Sequence, residues 1–481
     1  MQKNKMFKFE YSYLSLPKKL YSLSKKEKFP KIHITLLNKD LCTKLDLTSN
    51  NKKDMINILF NDLNNTKSFS QSYAGHQFGN FTKLGDGRAI IIGELITSDK
   101  KRFDIQLKGS GRTPYSRNGD GKATYKSMLR EYLISEAMYY LNISSSRSLA
   151  VIKTGEKIHR KNIEEGGILA RIMKSHIRIG TFEYASFFCK KDDLKALTTY
   201  TIDRLYPKIN NYKNPPLHLL KTVMEKQIDL VVNWMRIGFI HGVMNTDNTS
   251  ISGETFDYGP CAFLNSYKPE KTYSSIDHYN RYSYGNQPII IKWNIARFAE
   301  SLLPIIHQNQ EKSIKLAQSV IDQFDLLWKK KYYEMMLKKI GIQIKDEEGY
   351  KLIDELLACM LKNNQDYNNT FHSLSNDYFK QNSSINNLDF VNWKKKWKKN
   401  LLKHTTLKKA NNLMRIHNPV IIPRNHIVEE AIYQAGKGNI NPFKKLIEII
   451  SKPYEYKNGL EKFMEPPSAN FEQNFQTFCG T

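Results

Sequence analysis

Residues 228–261 constrain the fold of this chain more strongly than any other part of its sequence. An apolar run with helical spacing ends at Gly238, and a polar loop then carries the adjacent pair Asp247 and Asn248. Beyond the loop, β-branched residues and a glycine turn predict a short hairpin whose return strand ends at Asp257. The stretch therefore predicts a helix, a polar loop, a hairpin and a carboxylate, in that order.

The same order of elements builds the catalytic face of the C-lobe in a protein kinase. There, a loop after a helix carries a catalytic base and a metal-binding Asn, and a later segment ends in a metal-binding Asp before Gly. In this chain the predicted hairpin consists of residues 249–252, a turn at 252–254 and a return strand. The loop spacing differs from that of kinases, because Asp247 and Asn248 are adjacent here.

A second group of residues with matching chemistry lies earlier in the chain. Gly85 and Gly87 flank Asp86 between two apolar segments, which predicts a tight hairpin. Residues 103–108 alternate as a strand that ends at Lys108. Glycines let backbone N–H groups approach a phosphate chain, and a lysine at a strand end supplies a point charge to it. Together these residues indicate a phosphate site.

Residues 124–141 are predicted to form a helix, because their apolar side chains recur at helical spacing. The helix carries two glutamates, Glu131 and Glu136. A helix Glu beside a strand Lys would reproduce the ion pair that holds the lysine toward the phosphates in a kinase N-lobe. Glu136 lies nearer the apolar stripe and Glu131 lies away from it, so the periodicity leaves the choice between them open. Either residue could also be a solvated helix charge.

The residues around this helix suggest further ligand contacts, each with a plainer alternative. The loop 112–122 is polar and contains Asp120 and Gly121, which suits either a ligand-lining loop or a plain surface connection. Residues 148–154 and 166–173 are predicted strands. Arg171 and Arg178 could be guanidinium forks for phosphate, but their spacing alone favours surface arginines in a basic protein.

The pattern as a whole predicts an α+β, protein-kinase-like bilobal fold with an N-terminal extension and extra C-terminal helices. We expect the extension at residues 1–65, the N-lobe at 66–185, the helical C-lobe at 186–450 and a tail at 451–481. The predicted helices outside the N-lobe are at 53–63, 192–206, 215–236 and 294–306, with amphipathic helices from there to about 450.

Three segments have no clear periodicity. Residues 1–50 are predicted to be irregular or partly helical, residues 68–78 to be an ordered loop, and the tail from Pro466 to be extended. The loop at residues 265–287 is rich in Tyr and Ser, and it occupies the position of a kinase activation segment.

The net charge of the chain bears on which kinds of partner it binds. Lys and Arg number 74 against 47 Asp and Glu, a formal net charge of +27 among 481 residues. Such a charge can indicate a nucleic-acid partner, but the charges are scattered and no nucleic-acid motif accompanies them. We therefore interpret the charge as a general surface bias and do not expect nucleic-acid binding.

The cysteines and the apolar runs indicate where the protein works. The five cysteines form no CxxC pair and no zinc pattern, and so few in a long chain suggest a reducing compartment. No apolar run is long enough to span a membrane, and the N-terminus lacks the core of a signal peptide. We expect a monomer in a bacterial cytoplasm, or in a mitochondrion if the source is eukaryotic, without a membrane partner.

Several long motifs resemble those of the selenoprotein O (SelO) family over nearly the whole chain. They are Gln71-Ser-Tyr-Ala-Gly-His-Gln-Phe-Gly, Leu84-Gly-Asp-Gly-Arg-Ala, Gln106-Leu-Lys-Gly-Ser-Gly-Arg-Thr-Pro-Tyr-Ser-Arg, Leu129-Arg-Glu-Tyr-Leu-Ile-Ser-Glu-Ala-Met, His241-Gly-Val-Met-Asn-Thr-Asp-Asn and Phe256-Asp-Tyr-Gly-Pro-Cys-Ala-Phe. The resemblance implies a kinase-like enzyme that binds ATP in a flipped orientation. It would transfer AMP to Ser, Thr or Tyr hydroxyls of proteins and release pyrophosphate, with Mg²⁺ or Mn²⁺.

The resemblance also implies a role for each matching position. Lys108 would hold phosphate and pair with Glu131, Asp247 would be the base, and Asn248 and Asp257 would bind the metal. The positions implied to line the nucleotide are Gly85, Gly87, Arg88, Lys108, Asp120, Gly121, Arg171, Arg178 and Asp257. Family members often carry a Cys or selenocysteine near the C-terminus, so Cys479 is expected to be that residue, with Cys261 as a candidate disulfide partner.

Three rival functions remain open from the sequence. The same site could transfer the γ-phosphoryl group as a kinase does. The chain could be a catalytically silent nucleotide-binding scaffold, although every expected base and metal position is present. It could also bind nucleic acid, which only the net charge suggests.

Overall fold

The structure is a computed structural model that describes residues 8–47, 51–61, 67–344, 346–375 and 388–478. Its strands are β1 (Tyr21–Leu23), β2 (His33–Leu37), β3 (Phe69–Gln77), β4 (Asn80–Gly85), β5 (Ala89–Ile96), β6 (Arg102–Lys108), β7 (Ala123–Thr124), β8 (Arg147–His159), β9 (Ile163–Met173), β10 (Phe239–Ile240) and β11 (Ala262–Phe263).

The helices lie mostly after the strands. They are α1 (Lys39–Lys44), α2 (Lys52–Phe60), α3 (Tyr125–Tyr140), α4 (Ile179–Phe188), α5 (Lys191–Leu205), α6 (Pro215–Arg236), α7 (Gln287–Ile306), α8 (Gln310–Ile321), α9 (Phe324–Lys339), α10 (Glu347–Lys362), α11 (Tyr367–Ser375), α12 (Leu388–His404), α13 (Leu407–His417), α14 (Asn425–Gly436), α15 (Asn441–Ile450), α16 (Glu461–Met464) and α17 (Ala469–Asn474). In the described residues, none of them is long and apolar enough to cross a bilayer.

One antiparallel sheet forms the first lobe. Its strands run in the order β1-β3-β5-β6-β9-β8-β2, while β4 pairs with β3 and β7 pairs with β9. Alternate residues of β5 enter two different cores, because Ile91 packs with α3 whereas Ile90 and Ile92 pack with α1 and α2. Burial on both faces explains why β5 is a nearly continuous apolar run.

Capping residues in the sequence determine where helices α3 and α6 begin, and a glycine determines where α6 ends. Thr124 caps α3 by accepting a hydrogen bond from the Ser127 amide. Asn214 caps α6, Pro215 follows it at the first helical position, and Gly238 leaves the helix in the left-handed region with a φ of +72°. These boundaries match the predicted helices at 124–141 and 215–236.

The predicted α+β, kinase-like bilobal fold is confirmed. A sheet lobe with α3 packed on it meets a lobe of helices that begins with α4 and continues through the amphipathic helices to residue 450. The predicted strands at 103–108, 148–154 and 166–173 are present as β6, β8 and β9. The domain boundaries near residues 65, 185 and 450 stay predictions.

Two predictions about the glycine-rich region were wrong. Residues 68–78, predicted as a loop, form β3, because this polar segment pairs with β1, β4 and β5 and gains its burial from them. The turn at Gly85 and Gly87 does not close a hairpin between β4 and β5. Both strands pair with β3 instead, and the Asp86 amide donates to the Gln71 carbonyl at 2.9 Å.

The predicted hairpin at residues 249–257 is also wrong. Ser250 bridges to Arg178 and Thr255 bridges to Ser145, so the backbone of this segment pairs with the sheet lobe rather than with itself. The Ile251 amide, for example, donates to the Ile177 carbonyl at 3.0 Å.

The two ends of the chain are more regular than predicted. Residues 21–23 and 33–37 lie in the segment predicted as irregular, yet they form β1 and β2 at opposite edges of the main sheet. In the tail from Pro466, predicted as extended, residues 469–474 form α17.

The incorporation of the N-terminal segment into the main core leads to a stability prediction. Leu20 is fully buried in that core, whereas Leu23 is 63% exposed. Leu20→Ala should therefore cost about 3 kcal/mol of unfolding free energy by leaving a cavity, and Leu23→Ala should cost less than about 0.5 kcal/mol. Urea denaturation of both variants tests this, and equal effects would contradict a folded N-terminal segment.

Candidate active site

Four buried or partly buried charges meet where the two lobes touch. Lys108 at the end of β6 forms ion pairs with Glu131 on α3 and with Asp257 from the second lobe. Arg171 on β9 lies with its Nη2 2.6 Å from Glu131 Oε2 and 3.9 Å from Asp257 Oδ1. Two cations thus balance two carboxylates, as a charged group in a protein interior requires.

The network keeps both carboxylates ionised. Burial by itself would raise the pKa of Glu131, but Lys108 and Arg171 outweigh it and lower that pKa. The same opposition holds at Asp257, where Lys108, Arg171 and Arg88 hold the pKa well below its usual range. Asp257 is therefore a carboxylate under ordinary conditions and can serve as a cation ligand.

The structure decides between the two helix glutamates. Glu131 contacts Lys108, while Glu136 accepts from Arg147 at 2.7 Å and 2.9 Å and from Asn38 at 2.7 Å on another side of α3. Neither glutamate is solvated, since both are nearly fully buried.

The glycine-rich turn is covered by the polar loop 112–122. A Cβ placed on Gly85 would lie 2.3 Å from the Tyr115 ring, and one on Gly87 would lie 2.8 Å from the Tyr115 carbonyl oxygen. Thr113 Oγ1 donates to the Asp86 carbonyl at 2.7 Å. The loop therefore lines the cleft and is not a plain surface connection. Close packing against Tyr115 accounts for both glycines, and their approach to phosphate stays a prediction.

Arg171 and Arg178 are buried rather than exposed, contrary to the interpretation that their spacing favoured. Arg178 Nη2 lies 3.4 Å from Asp86 Oδ1, its Nη1 donates to the Asp247 carbonyl at 3.3 Å, and its guanidinium lies over the Tyr73 ring at 4.1 Å. Spacing could not reveal this burial, because Arg178 follows β9 and is enclosed by β3 and by the loop of the second lobe.

The outer part of the cleft contains a charge pair that the sequence did not suggest. Arg160 forms a bidentate ion pair with Asp120, at 2.8 Å and 2.9 Å. Gly121 next to it has a φ of +69°, and a Cβ there would lie 2.1 Å from the Gly111 carbonyl oxygen. Glycine is therefore required at 121 by both backbone conformation and space.

Asp247 is buried, and its hydrogen bonds are few. No partner lies within hydrogen-bonding distance of its Oδ1 among the described residues, and Gln77 Nε2 lies 3.4 Å from its Oδ2. Burial raises the pKa of Asp247 to about 6. A carboxylate whose pKa is raised by burial is suited to accept a proton.

Asn248 and Asp257 have the chemistry of a small metal site. Asn248 Nδ2 donates to the Val243 carbonyl at 3.2 Å, which leaves Oδ1 for a cation. In the described residues no group of three or more His, Cys, Asp or Glu could hold a metal alone. Mg²⁺ is usually held by one or two protein oxygens together with substrate phosphates, so this pair fits it.

A cleft of about 390 Å³ brings the predicted residues together. All the predicted site residues line it except Glu131, which lies behind Lys108. The lining residues that sequence reasoning missed include Tyr73, Gln77, Asp86, Arg160 and Asn245. Four of them, all but Arg160, lie in motifs that carried the resemblance, which was the only signal for them.

Of the two cysteines in the predicted disulfide, the structure describes Cys261. Cys261 is buried, its thiol donates to the Tyr258 carbonyl at 3.2 Å, and burial raises its pKa to about 12. Thr477 Oγ1 donates to the Pro260 carbonyl at 2.7 Å, so the tail passes beside Cys261. Cys479 lies outside the described residues, and the disulfide stays a prediction.

Comparison with known proteins agrees with this geometry. The family model described as "Protein adenylyltransferase SelO" matches residues 4–451. The chain belongs to the SelO family. A protein nucleotidyltransferase YdiU from Pelagibacter ubique is 48% identical over 478 residues, covering 98% of this chain and 99% of that protein. The YdiU of Clostridium botulinum strain Hall is 46% identical, covering 98% of this chain and 97% of that protein.

A comparison with solved structures matches this SelO-family chain to a Toxoplasma gondii virulence factor described as having a protein-kinase fold and no enzymatic activity. The match has 9% identity and a TM-score of 0.24, and it covers 76% of this chain and 97% of that one. The likeness is too slight to support an argument about this chain.

The buried network predicts an unequal response to the loss of two glutamates. Glu131→Ala would leave Lys108 and Arg171 short of a carboxylate, and we expect it to cost about 3 kcal/mol of unfolding free energy. Glu429→Ala breaks the ion pair of a half-exposed Glu with Arg130 and should cost less than about 1 kcal/mol. Urea denaturation measures both, and a small effect of Glu131→Ala would refute the network's structural role.

Proposed function

We propose that this SelO-family enzyme transfers AMP from ATP to Ser, Thr or Tyr hydroxyls of proteins and releases pyrophosphate. The observation that carries the proposal is that Asp247, a buried carboxylate, lines the same cleft as Lys108 and Asp257. A base, a set of phosphate-binding cations and a pair of metal ligands thus share one cleft. The family description supplies AMP as the transferred group.

The cations of the cleft would bind the phosphate chain. Lys108, Arg171 and Arg178 are held by carboxylates and rings of the protein, so they need little reorganisation when a triphosphate enters. Arg88 and the Asp120–Arg160 pair also line the cleft and are partly exposed, unlike these three buried cations. Such fixed charge favours a transition state in which negative charge spreads over phosphoryl oxygens.

Asp247 would act as the base. The acceptor hydroxyl oxygen forms a bond to the α-phosphorus, the bond from that phosphorus to the bridging oxygen breaks, and pyrophosphate leaves with the electron pair. Asp247 accepts the hydroxyl proton as the new bond forms. The raised pKa of Asp247 makes it a better proton acceptor than an exposed aspartate.

Asn248 and Asp257 would hold Mg²⁺ or Mn²⁺. When bound, the metal neutralises charge on the phosphate oxygens. Asp257 has a left-handed backbone, with a φ of +65°, a conformation that non-glycine residues adopt mostly at functional or strained positions. The monomeric state and the cytoplasmic location that we expect from the sequence stay predictions.

Label position tests the transferred group. Purified protein is incubated with Mg²⁺ or Mn²⁺ and with ATP labelled at the α- or the γ-phosphate, alone and with dephosphorylated casein as acceptor. We expect protein-bound label from the α-phosphate, a mass gain of one AMP, and loss of both with EDTA or in Asp257→Ala. Label from the γ-phosphate would show a kinase, and bound ATP without transfer would indicate a silent scaffold.

A second experiment separates the base from the metal ligand. Asp247→Asn should lower the transfer rate at least about 100-fold while the affinity for ATP with metal stays within about threefold. Asp257→Ala should weaken that affinity itself, because it removes a metal ligand. Isothermal titration calorimetry with a non-hydrolysable ATP analogue gives the affinities. Normal transfer by Asp247→Asn would exclude this residue as the base.

A further inference from the structure

The motif at residues 71–79 is among the longest that carry the family resemblance, and the roles above use little of it. Its strand, β3, passes directly against the loop that carries the base. A Cβ placed on Gly75 would lie 2.5 Å from Asp247 Oδ1 and 2.8 Å from Asp247 Cβ. Only a glycine lets the strand come this close.

His76, the next residue of the motif, takes part in a closed ring of hydrogen bonds with the loop that carries Asp247. The His76 amide donates to Thr246 Oγ1 at 2.8 Å, and that hydroxyl donates to Glu183 Oε2 at 2.5 Å. The other carboxylate oxygen of Glu183, Oε1, lies 2.5 Å from His76 Nδ1. Strand β3, helix α4 and the loop are thus joined through three side chains.

The ring is enclosed by the protein. Thr246 is fully buried and Glu183 is nearly so. The imidazole of His76 packs against the rings of Phe81 and Trp293, each with its centroid 5.1 Å away. Both oxygens of Glu183 are engaged in the ring.

Asp247 directly follows Thr246 in the chain. Few hydrogen bonds orient its carboxylate. Its Oδ1 has no hydrogen-bond partner and the contact of its Oδ2 with Gln77 is 3.4 Å long. The direction of its carboxylate therefore depends on the backbone of the loop and on the close packing of Gly75 against it. A misplacement of about 1 Å in a reacting group can cost roughly 100-fold in rate.

We propose that His76, Glu183 and Thr246 are positioning residues that aim Asp247 at the acceptor hydroxyl. They act through the loop backbone and do not touch the nucleotide or the acceptor. The proposal rests on the proposed function of Asp247 as the base.

Paired substitutions test the ring. Thr246→Val and Glu183→Ala open it, whereas Thr246→Ser keeps the hydroxyl. Glu183→Gln also keeps it closed, because the amide oxygen can accept from Thr246 and the amide N–H₂ can donate to His76 Nδ1. Transfer of AMP to the enzyme itself or to dephosphorylated casein, whichever the wild type modifies faster, is followed at varied ATP.

Two matched controls make the same chemical changes elsewhere. Thr198→Val removes a buried hydroxyl that donates to the Leu194 carbonyl on α5, and Glu94→Ala removes a buried carboxylate on β5 that accepts from Ser12 Oγ and from the Tyr13 amide. Neither residue belongs to the ring or to the proposed catalytic machinery. The transfer rates of these control variants show how much a purely structural defect slows the reaction.

We expect Thr246→Val and Glu183→Ala each to lower kcat by about 100-fold with the KM for ATP within about twofold of wild type. The double variant should be no slower than either single one, because both open the same ring. Thr246→Ser and Glu183→Gln should recover most of the rate. An unchanged kcat in the opening variants, or equal losses in the controls, would overturn the proposal.

Hydrogen exchange tests the ring independently of any activity. The amides of Asn248 and Thr249 donate to the Asn245 and Thr246 carbonyls inside the loop. They should exchange faster in Thr246→Val and Glu183→Ala than in wild type or in Thr198→Val, and unchanged exchange would overturn the proposal. If the wild type transfers no AMP, the proposed function fails, and this exchange still decides whether the ring holds the loop.

Discussion

The ion network of Lys108, Glu131, Arg171 and Asp257 is the interaction on which the active site depends. Its members come from β6, α3, β9 and the segment that follows the polar loop, so it closes only when the two lobes meet in one arrangement. Taking these charges out of water is costly, and each is tolerated because the others compensate it. The charges that would bind phosphate are therefore the same ones that fix the lobes against each other.

Other contacts reinforce this meeting of the lobes. Arg130, next to Glu131 on α3, donates to the carbonyls of Gly259 and Cys261 and pairs with Glu429 on α14. Through Arg130, helix α3 thus contacts both the C-terminal helix α14 and the segment that follows Asp257. Because residues 249–257 also pair with the sheet lobe, the polar loop is held at its C-terminal end. These contacts favour a preorganised cleft, which is the condition for electrostatic catalysis.

The order of elements and their chemistry were largely predictable from the sequence. Helix α6 is followed by Gly238 and carries a strong apolar stripe, so its position followed from local rules. Strand β3 was missed, because its residues are polar or small and its pairing partners lie elsewhere in the chain. The hairpin after Asn248 was wrongly predicted for the converse reason, since β-branched residues pair with whichever strand tertiary packing provides.

The sequence by itself determined which groups are present: two carboxylates and an amide near the polar loop, a strand-end lysine, a glycine turn and arginines nearby. Tertiary structure decided which of them act together. It selected Glu131 over Glu136, buried Arg171 and Arg178, and placed His76 beside Thr246. Periodicity reports only which face of an element is apolar, whereas the partner of a buried charge depends on contacts between residues far apart in the chain.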